Sequence, residues 1–250
     1  MLYRFAVFSM AMALPLAAPA AGFVERQVTL RAHTYRYQVY VPDHLAASPP
    51  MVLFLHGSGE RGSDNRKQLT QGLPPWLAAH GASFPAVVVI PQAPDNASWS
   101  GDAADAAMLA LAASTTEFHG DTRKTYLTGL SMGGFGSWEL LLRYRTRFAA
   151  AAVVCGGIEP LADEPEFFVH GIPRHVDVFA YTAAHIGKTP VWIFHGGADA
   201  SVPVEQSRKM SAALKAVGHD VRYTEFPGVG HGSWVPAYNS AELWPWMFAH

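Results

Sequence analysis

The chain lacks the cysteines that a disulfide-stabilised fold needs. Its 250 residues contain a single cysteine, Cys155, so no intramolecular disulfide can form, and zinc-finger, haem-attachment and dithiol motifs are excluded. Because Cys155 ends the apolar run 149–155, we expect it to be a buried structural thiol. The fold must therefore be stabilised by its hydrophobic core.

Charged residues are also scarce, and no extended basic cluster is present. Asp, Glu, Lys and Arg make up 15% of the residues, and the formal net charge is −2. Because a nucleic-acid partner calls for a basic face, we predict none. Half of the residues are hydrophobic, which is too apolar for a disordered chain, and the length suits one large α/β domain.

A long apolar run occurs at the N-terminus, where residues 5–16 follow Arg4, and the small residues 18–20 (Ala-Pro-Ala) come next. This order of a basic, an apolar and a small-residue region is typical of a cleaved export signal. A membrane anchor is the alternative. It is disfavoured because the run is short for a span of about 20 residues and no stop-transfer charges follow.

We therefore predict a signal peptide over residues 1–20 and a single domain over residues 21–250. The mature protein is expected to be secreted or periplasmic, without stable membrane insertion after cleavage.

Strand-type and helix-type segments alternate along the remaining chain. Residues 27–41 predict an antiparallel pair of strands, and further strands are predicted at 51–55, 86–90, 125–128, 149–155, 191–194 and 221–226. Helices are predicted at 66–80, 103–118, 132–144, 204–217 and 241–249. This alternation predicts an α/β fold, with a mostly parallel sheet and helices on both faces. Ligands then bind at the carboxyl ends of the strands.

A pentapeptide typical of a nucleophilic serine follows one of these strands. Residues 129–133 read Gly-Leu-Ser-Met-Gly and come directly after the predicted strand 125–128. In a G-x-S-x-G turn the serine hydroxyl sits at the tip, and the glycines let strand and helix pass closely. A serine in a glycine-rich turn can also be purely structural. We predict Ser131 as the nucleophile because other polar motifs also follow strands.

A serine nucleophile needs an adjacent base, and the base needs an orienting acid. Asp199 comes shortly after the predicted strand 191–194, and His231 lies in a glycine-rich loop after the predicted strand 221–226. The chain order Ser131, Asp199, His231 therefore predicts a catalytic triad.

His195, Asp199 and His231 could instead suggest a metal site. Their spacing fits no standard ligand pattern. We predict neither a metal nor a cofactor.

Two backbone N–H groups are also needed to stabilise the oxyanion of the reaction. Met132, the residue after the nucleophile, should supply one of them at a helix N-terminus. The other should come from Ser58, in the small-residue loop that follows the predicted strand 51–55. Trp99 and Trp234 lie in nearby loops and are candidate walls of an apolar substrate pocket, although they could equally just pack those loops.

With these motifs the chain resembles the α/β-hydrolase superfamily, and most closely the secreted carboxylesterases related to polyhydroxybutyrate depolymerases and feruloyl esterases. The resemblance rests on four segments, residues 55–62, 129–134, 195–203 and 228–234. It implies an α/β-hydrolase sheet, with the triad and the oxyanion donors at the five positions named above. Residues 156–189, which lack a clear strand, are interpreted as a small insertion overhanging the site.

The predicted function is hydrolysis of carboxylic esters, small or polymeric, through an acyl-enzyme. Two alternatives stay open at this point. One is a serine peptidase on the same fold, and the other is a non-catalytic binding protein that keeps the hydrolase scaffold. The sequence does not indicate an oligomeric state.

Overall fold

A computed structural model describes residues 22–250 of the chain. The predicted signal peptide, residues 1–20, lies outside the described residues. Within residues 22–250, no helix is long and apolar enough to cross a lipid bilayer.

One eight-stranded sheet organises the described chain. In chain order its strands are β1 (Gly22–Leu30), β2 (His33–Val41), β3 (Met51–Leu55), β4 (Val87–Pro91), β5 (Thr125–Leu130), β6 (Ala150–Val154), β7 (Val191–Gly196) and β8 (Val221–Phe226). Their spatial order is β1, β2, β4, β3, β5, β6, β7, β8. The pairs β1–β2 and β2–β4 are antiparallel, and every later pair is parallel. The predicted mostly parallel sheet is thus confirmed.

Helices cover both faces of this sheet. They are α1 (Leu73–His80), α2 (Gly101–Glu117), α3 (Met132–Arg143), α4 (Val178–His185), α5 (Glu205–Ala216), α6 (Trp234–Tyr238) and α7 (Leu243–Phe248). Buried side chains of α2 to α5 pack on one face, and those of α1, α6 and α7 pack on the other. The central strand β3 is apolar throughout because both of its faces are buried. Leu53 faces the first core and Phe54 the second, as the two-residue period of a strand requires.

The structure corrects the predicted start of the first helix. Residues 66–72 form a short 3-10 turn and a bend, and α1 begins only at Leu73. Gly72 has a φ of +74°, which a regular helix does not allow, and prolines occupy the first turn of α1. Both features are ordinary helix-start signals.

Two helices were not predicted. Helix α4 lies inside the segment 156–189, which is predicted to be a small insertion without a clear strand. Its start is marked by Asp177, whose carboxylate accepts hydrogen bonds from the backbone N–H groups of Phe179 and Ala180. Helix α6 is a turn of five residues directly after the loop of His231.

Strand β1 begins earlier than the predicted residue 27. Its first half contains Glu25 and Arg26, whose charge obscures the strand pattern. These side chains are tolerated because β1 is at the edge of the sheet, and Arg26 hydrogen-bonds Glu117 of α2.

Candidate active site

Ser131 occupies a sharp turn between β5 and α3. Its backbone has a φ of 53° and a ψ of −120°, a strained conformation for a residue with a side chain. The turn is possible only because its neighbours are glycines. A Cβ built on Gly129 would lie 2.2 Å from the carbonyl oxygen of Gly133, and one built on Gly133 would lie 2.0 Å from the carbonyl oxygen of Leu55. The structure therefore has the strand–turn–helix geometry that the G-x-S-x-G pattern predicts.

Three distant segments meet at this turn and form a chain of two hydrogen bonds. His231 Nε2 lies 2.9 Å from Ser131 Oγ, and His231 Nδ1 lies 2.8 Å from Asp199 Oδ2. Because an ionised carboxylate can only accept, Nδ1 carries the imidazole hydrogen. The lone pair of Nε2 therefore faces the serine hydroxyl, which donates. This is the arrangement in which an imidazole can remove the serine proton.

Asp199 is held ionised inside the protein. Its side chain is fully buried, and Oδ1 accepts hydrogen bonds from the backbone N–H groups of Ser201 and Val202, both at 2.9 Å. Burial by itself raises the pKa of this carboxyl group. Hydrogen bonds from His195, His231 and the backbone outweigh burial, so the net pKa is well below its usual value. A carboxylate that stays ionised can stabilise a positively charged imidazole.

His195 holds the Asp199 carboxylate in place by donating to it, a role that sequence reasoning does not predict. The side chain is fully buried, and its Nε2 lies 2.9 Å from the carbonyl oxygen of Val202 and 3.3 Å from Asp199 Oδ2. Since both of these oxygens are acceptors, Nε2 carries the hydrogen and donates. Its Nδ1 then accepts from the Ser207 hydroxyl at 2.7 Å. The four-residue spacing of His195 and Asp199 is the available signal for this contact, although the same residues also suggest a metal site.

The loop after β3 passes directly over the nucleophile. A Cβ built on Gly57 would lie 3.6 Å from the Cβ of Ser131, so the next residue, Ser58, lies at the same end of the sheet. Within the part of the chain that the structure describes, the backbone N–H groups of Ser58 and Met132 make no hydrogen bond to protein. The N–H of Ser131, in contrast, donates to the carbonyl oxygen of Val154. Ser58 and Met132 are therefore available as donors, and their role as an oxyanion hole stays a prediction.

Gln92 holds this loop in place through three hydrogen bonds, a role that sequence reasoning does not predict. It is buried after β4, where its Oε1 accepts from the backbone N–H of Asn65 at 2.7 Å. Its Nε2 donates to the carbonyl oxygen of Glu60 at 3.2 Å and to Asp64 Oδ1 at 2.9 Å. The backbone N–H groups of Arg66 and Lys67 also donate to Asp64, which lowers its pKa to about 2.

The two predicted tryptophans lie in different surroundings. Trp99 is only 2% exposed, and its indole N–H donates to the carbonyl oxygen of His56 at 2.9 Å. It lines a narrow crevice of about 10 Å³ beside Met132. Trp234 is half-buried and contacts the base directly, with its ring edge-on to His231 at a centroid distance of 5.5 Å. Their substrate roles stay predictions, and the position of Trp99 fits loop packing better.

The segment 156–189 contacts the loop after β3 (residues 56–66, the oxyanion loop) through a cation–π interaction. The guanidinium of Arg61 lies 5.7 Å from the centre of the Phe167 ring. Phe167 is buried, whereas its neighbour Phe168 is exposed. The predicted overhang of this segment is not decided by these contacts, and a lid role stays a prediction.

The site contains one group of residues with metal-ligating atoms close together. The side chains of Cys155, Asp199 and His231 each offer an atom within 4.8 Å of the others. Complete burial raises the pKa of the Cys155 thiol to about 12, and a protonated thiol does not bind metal ions. The other two side chains already hydrogen-bond each other. This donor set does not fit a metal ion.

Comparisons with known proteins fit the geometry of the site. The family model described as the prolyl oligopeptidase family matches residues 96–247, more than half of the chain. This chain belongs to the prolyl oligopeptidase family. The match includes β5, α3 and the loops that carry Asp199 and His231, so these elements lie in the part shared with the family.

Other similar proteins agree on the fold. A probable carboxylesterase of Oryza sativa subsp. japonica is 27% identical over 207 residues, which cover 72% of this chain and 80% of that protein. The crystal structure of a thermostable esterase has a TM-score of 0.73 at 30% identity and covers 91% of this chain, which spans 62% of the esterase chain. A ferulic acid esterase structure has a TM-score of 0.66 at 16% identity, with 91% and 97% of the two chains covered. The predicted α/β-hydrolase superfamily is confirmed, and this family member is a serine hydrolase.

Proposed function

We propose that this serine hydrolase cleaves carboxylic esters through an acyl-enzyme on Ser131. The observation that carries the proposal is the pair of hydrogen bonds that connects Asp199, His231 and Ser131, at 2.8 and 2.9 Å. The names of the rice carboxylesterase and the thermostable esterase support an ester as the substrate.

In the first half of the reaction the serine is acylated. The Ser131 hydroxyl gives its proton to His231 Nε2 while Oγ bonds to the ester carbonyl carbon. The oxyanion formed in this step is stabilised by the backbone N–H groups of Met132 and Ser58. When the bond between the carbonyl carbon and the alcohol oxygen breaks, His231 passes the proton to the departing alcohol.

The second half returns the enzyme to its starting state. A water molecule gives a proton to His231 Nε2 as its oxygen attacks the acyl carbon. The bond from this carbon to Ser131 Oγ then breaks, and the serine takes the proton back from His231. Asp199 stabilises the imidazolium in both halves and does not itself take a proton.

For a finer placement we favour the secreted carboxylesterases related to polyhydroxybutyrate depolymerases and feruloyl esterases. The support is the likeness of the four motif segments to that branch. A second support is the export-type sequence of residues 1–20, which indicates a secreted or periplasmic protein. N-terminal sequencing of protein from the culture medium or periplasm should find a chain that begins at Ala21. A chain that keeps Met1 in those fractions would contradict cleavage.

A serine peptidase is the second candidate, because the matched family is named after oligopeptidases. The test compares turnover of short-chain acyl esters, feruloyl esters and hydroxybutyrate oligomers with turnover of peptide amides. We expect ester hydrolysis to be faster, and Ser131→Ala to lower kcat about a million-fold. Preferential hydrolysis of peptide amides would favour the peptidase. Failure to hydrolyse any of these substrates would favour a non-catalytic binding protein.

A further inference from the structure

A groove of about 270 Å³ runs between α1 and α6, next to the triad. One wall comes from α1, with Trp76 and Ala79, and the other from α6, with Trp234 and Val235. Its volume exceeds that of cavities of about 150 Å³, which already accommodate benzene. The groove is therefore large enough for a substituent with an aromatic ring.

Two contacts place the groove beside the triad. The ring of Trp234 contacts the imidazole of His231 edge-on, at a centroid distance of 5.5 Å. At the inner end, Gly72 packs so tightly on Leu130, the residue before Ser131, that an added Cβ would lie 2.3 Å from the Leu130 side chain. The groove thus lies on the far side of Trp234 from His231, within reach of a substituent on a molecule bound to Ser131.

The lining of the groove points to a neutral, apolar occupant. None of the lining residues is an Asp, Glu, Lys or Arg, and His80, which is stacked on Trp76 at 5.2 Å, is the single titratable imidazole. Val235 is 58% exposed, although it is apolar. Polar but uncharged side chains come from Thr70, Gln71 and Asn239. The apolar part of the lining, two indole rings and an exposed valine, favours contact with an aromatic ring.

The reaction decides which part of the substrate lies there. His231 must hand its proton to the departing alcohol, so the alcohol oxygen lies against Nε2. The group attached to that oxygen therefore lies near the imidazole, whose ring contacts Trp234 at the wall of the groove. The acyl carbonyl, in contrast, points toward the N–H groups of Ser58 and Met132.

We propose that this groove binds the alcohol part of the ester, and that this part contains an aromatic ring. The inference rests on the proposed ester hydrolysis. It assigns to Trp76, Ala79 and Val235 a role in substrate specificity that does not follow from the triad.

Three esters and two variants test the groove. The esters are ethyl acetate, 2-naphthylmethyl acetate and ethyl 2-naphthylacetate. The two acetates are esters of primary alcohols, and the third ester places the same ring on the acyl side. Ala79→Trp fills the groove from the exposed side of α1, and Ala112→Trp adds the same ring to an exposed position of α2.

We expect Ala79→Trp to lower kcat/KM for 2-naphthylmethyl acetate about ten-fold or more, mainly through KM. Turnover of the other two esters should change less than about two-fold, and Ala112→Trp should change none of them. An equal loss for all esters, no loss for any, or a selective loss for ethyl 2-naphthylacetate would overturn the groove assignment. If the unmutated protein hydrolysed ethyl acetate but not 2-naphthylmethyl acetate, the groove assignment would fail while ester hydrolysis stood. If it hydrolysed none of the three, and none of the short-chain acyl esters, feruloyl esters and hydroxybutyrate oligomers, ester hydrolysis itself would be rejected.

Discussion

The charge of Asp199 decides which nitrogen of His231 carries the hydrogen. With an ionised carboxylate 2.8 Å from Nδ1, the imidazole must donate there, and its basic nitrogen faces Ser131. The two backbone N–H groups on the other carboxylate oxygen and the donor from His195 stabilise the same ionised state. A neutral amide at this position would not reproduce the charge that these donors stabilise.

Replacement of Asp199 by Asn should remove the base without unfolding the protein. The amide can present an N–H to His231, which then keeps its hydrogen on Nε2 and cannot accept the serine proton. We expect kcat for an ester to fall about 10,000-fold, with little change in KM. The control is Asp43→Asn, at an exposed acid in the loop after β2, far along the chain from the triad. A kcat within ten-fold of the unmutated protein would contradict the role of Asp199.

Acidification should weaken the fold through His56. Complete burial lowers the pKa of this imidazole from 6.5 to about 4, against a smaller opposing effect of its hydrogen bond to the Gly57 carbonyl. Between these two values the unfolded chain binds a proton that the folded chain does not bind. Stability is therefore lost as the pH falls from about 6.5 to about 4, by on the order of 3 kcal/mol.

Urea unfolding at several pH values checks this expectation. His56→Gln should be less stable at neutral pH but should lose less stability on acidification than the unmutated protein. His44→Gln, at an exposed histidine, should leave the pH dependence as it is. If His56→Gln had the same pH dependence as the unmutated protein, His56 would not be its source.

Among single residues, sequence reasoning identified those that lie in sequence motifs. Ser131, Asp199 and His231 each follow a strand, and the structure brings their side chains together. The partners of His195 lie within twelve residues of it, but only the fold shows which of them it contacts. The role of Gln92 could not be predicted, because it depends on which groups of the loop after β3 lie near the end of β4. Hydrogen bonds between distant segments have no local sequence signature.

At the scale of elements, the oxyanion loop depends on its attachment to the end of β4. Gln92 makes three hydrogen bonds to this loop, and the backbone N–H of Gly62 adds another to the carbonyl oxygen of Ala93. Removal of the Gln92 amide leaves the loop free to shift relative to Ser131. The N–H of Ser58 would then no longer be held where the oxyanion forms.

We therefore expect Gln92→Ala to lower kcat for esters by about 10- to 100-fold, with little change in KM. The loss should be smaller than the 100- to 1,000-fold effect of removing an oxyanion donor outright. Thr125→Ala is a control, because this buried threonine at the start of β5 also holds a loop, through a hydrogen bond from its hydroxyl to the carbonyl oxygen of Thr122. If both variants lowered kcat equally, Gln92 would act only through general stability.

The predicted strands agree best with the structure where every residue of the strand is buried. Strands such as β3 and β7 are apolar because both faces are covered, which the sequence displays directly. Helix α4 was missed because Gly171 and Pro173 precede it and conceal a short helix. Its N-cap, Asp177, was the signal that a closer reading could have used.

At the scale of the whole molecule, the sheet supports the site because its two cores pack against opposite faces of the same strands. Leu53 is fully buried in β3, between β4 and β5, so its loss leaves a cavity in the centre of the protein. We expect Leu53→Ala to lower the free energy of unfolding by about 2–5 kcal/mol.

Thermal and urea unfolding check the expected loss. Leu109→Ala is the matched control, at a leucine of α2 that is 38% exposed, and it should cost less than about 1 kcal/mol. Equal losses for the two variants would contradict the central position of β3.

The central claim is that Ser131 is the nucleophile and that His231 activates it, and covalent labelling tests it most directly. The measurement is the mass and the sequence position of the adduct formed with a fluorophosphonate probe. We predict one adduct per chain, located on Ser131, with labelling much slower in His231→Ala and absent in Ser131→Ala. An adduct on another residue, or equal labelling of Ser131 in His231→Ala, would contradict the account.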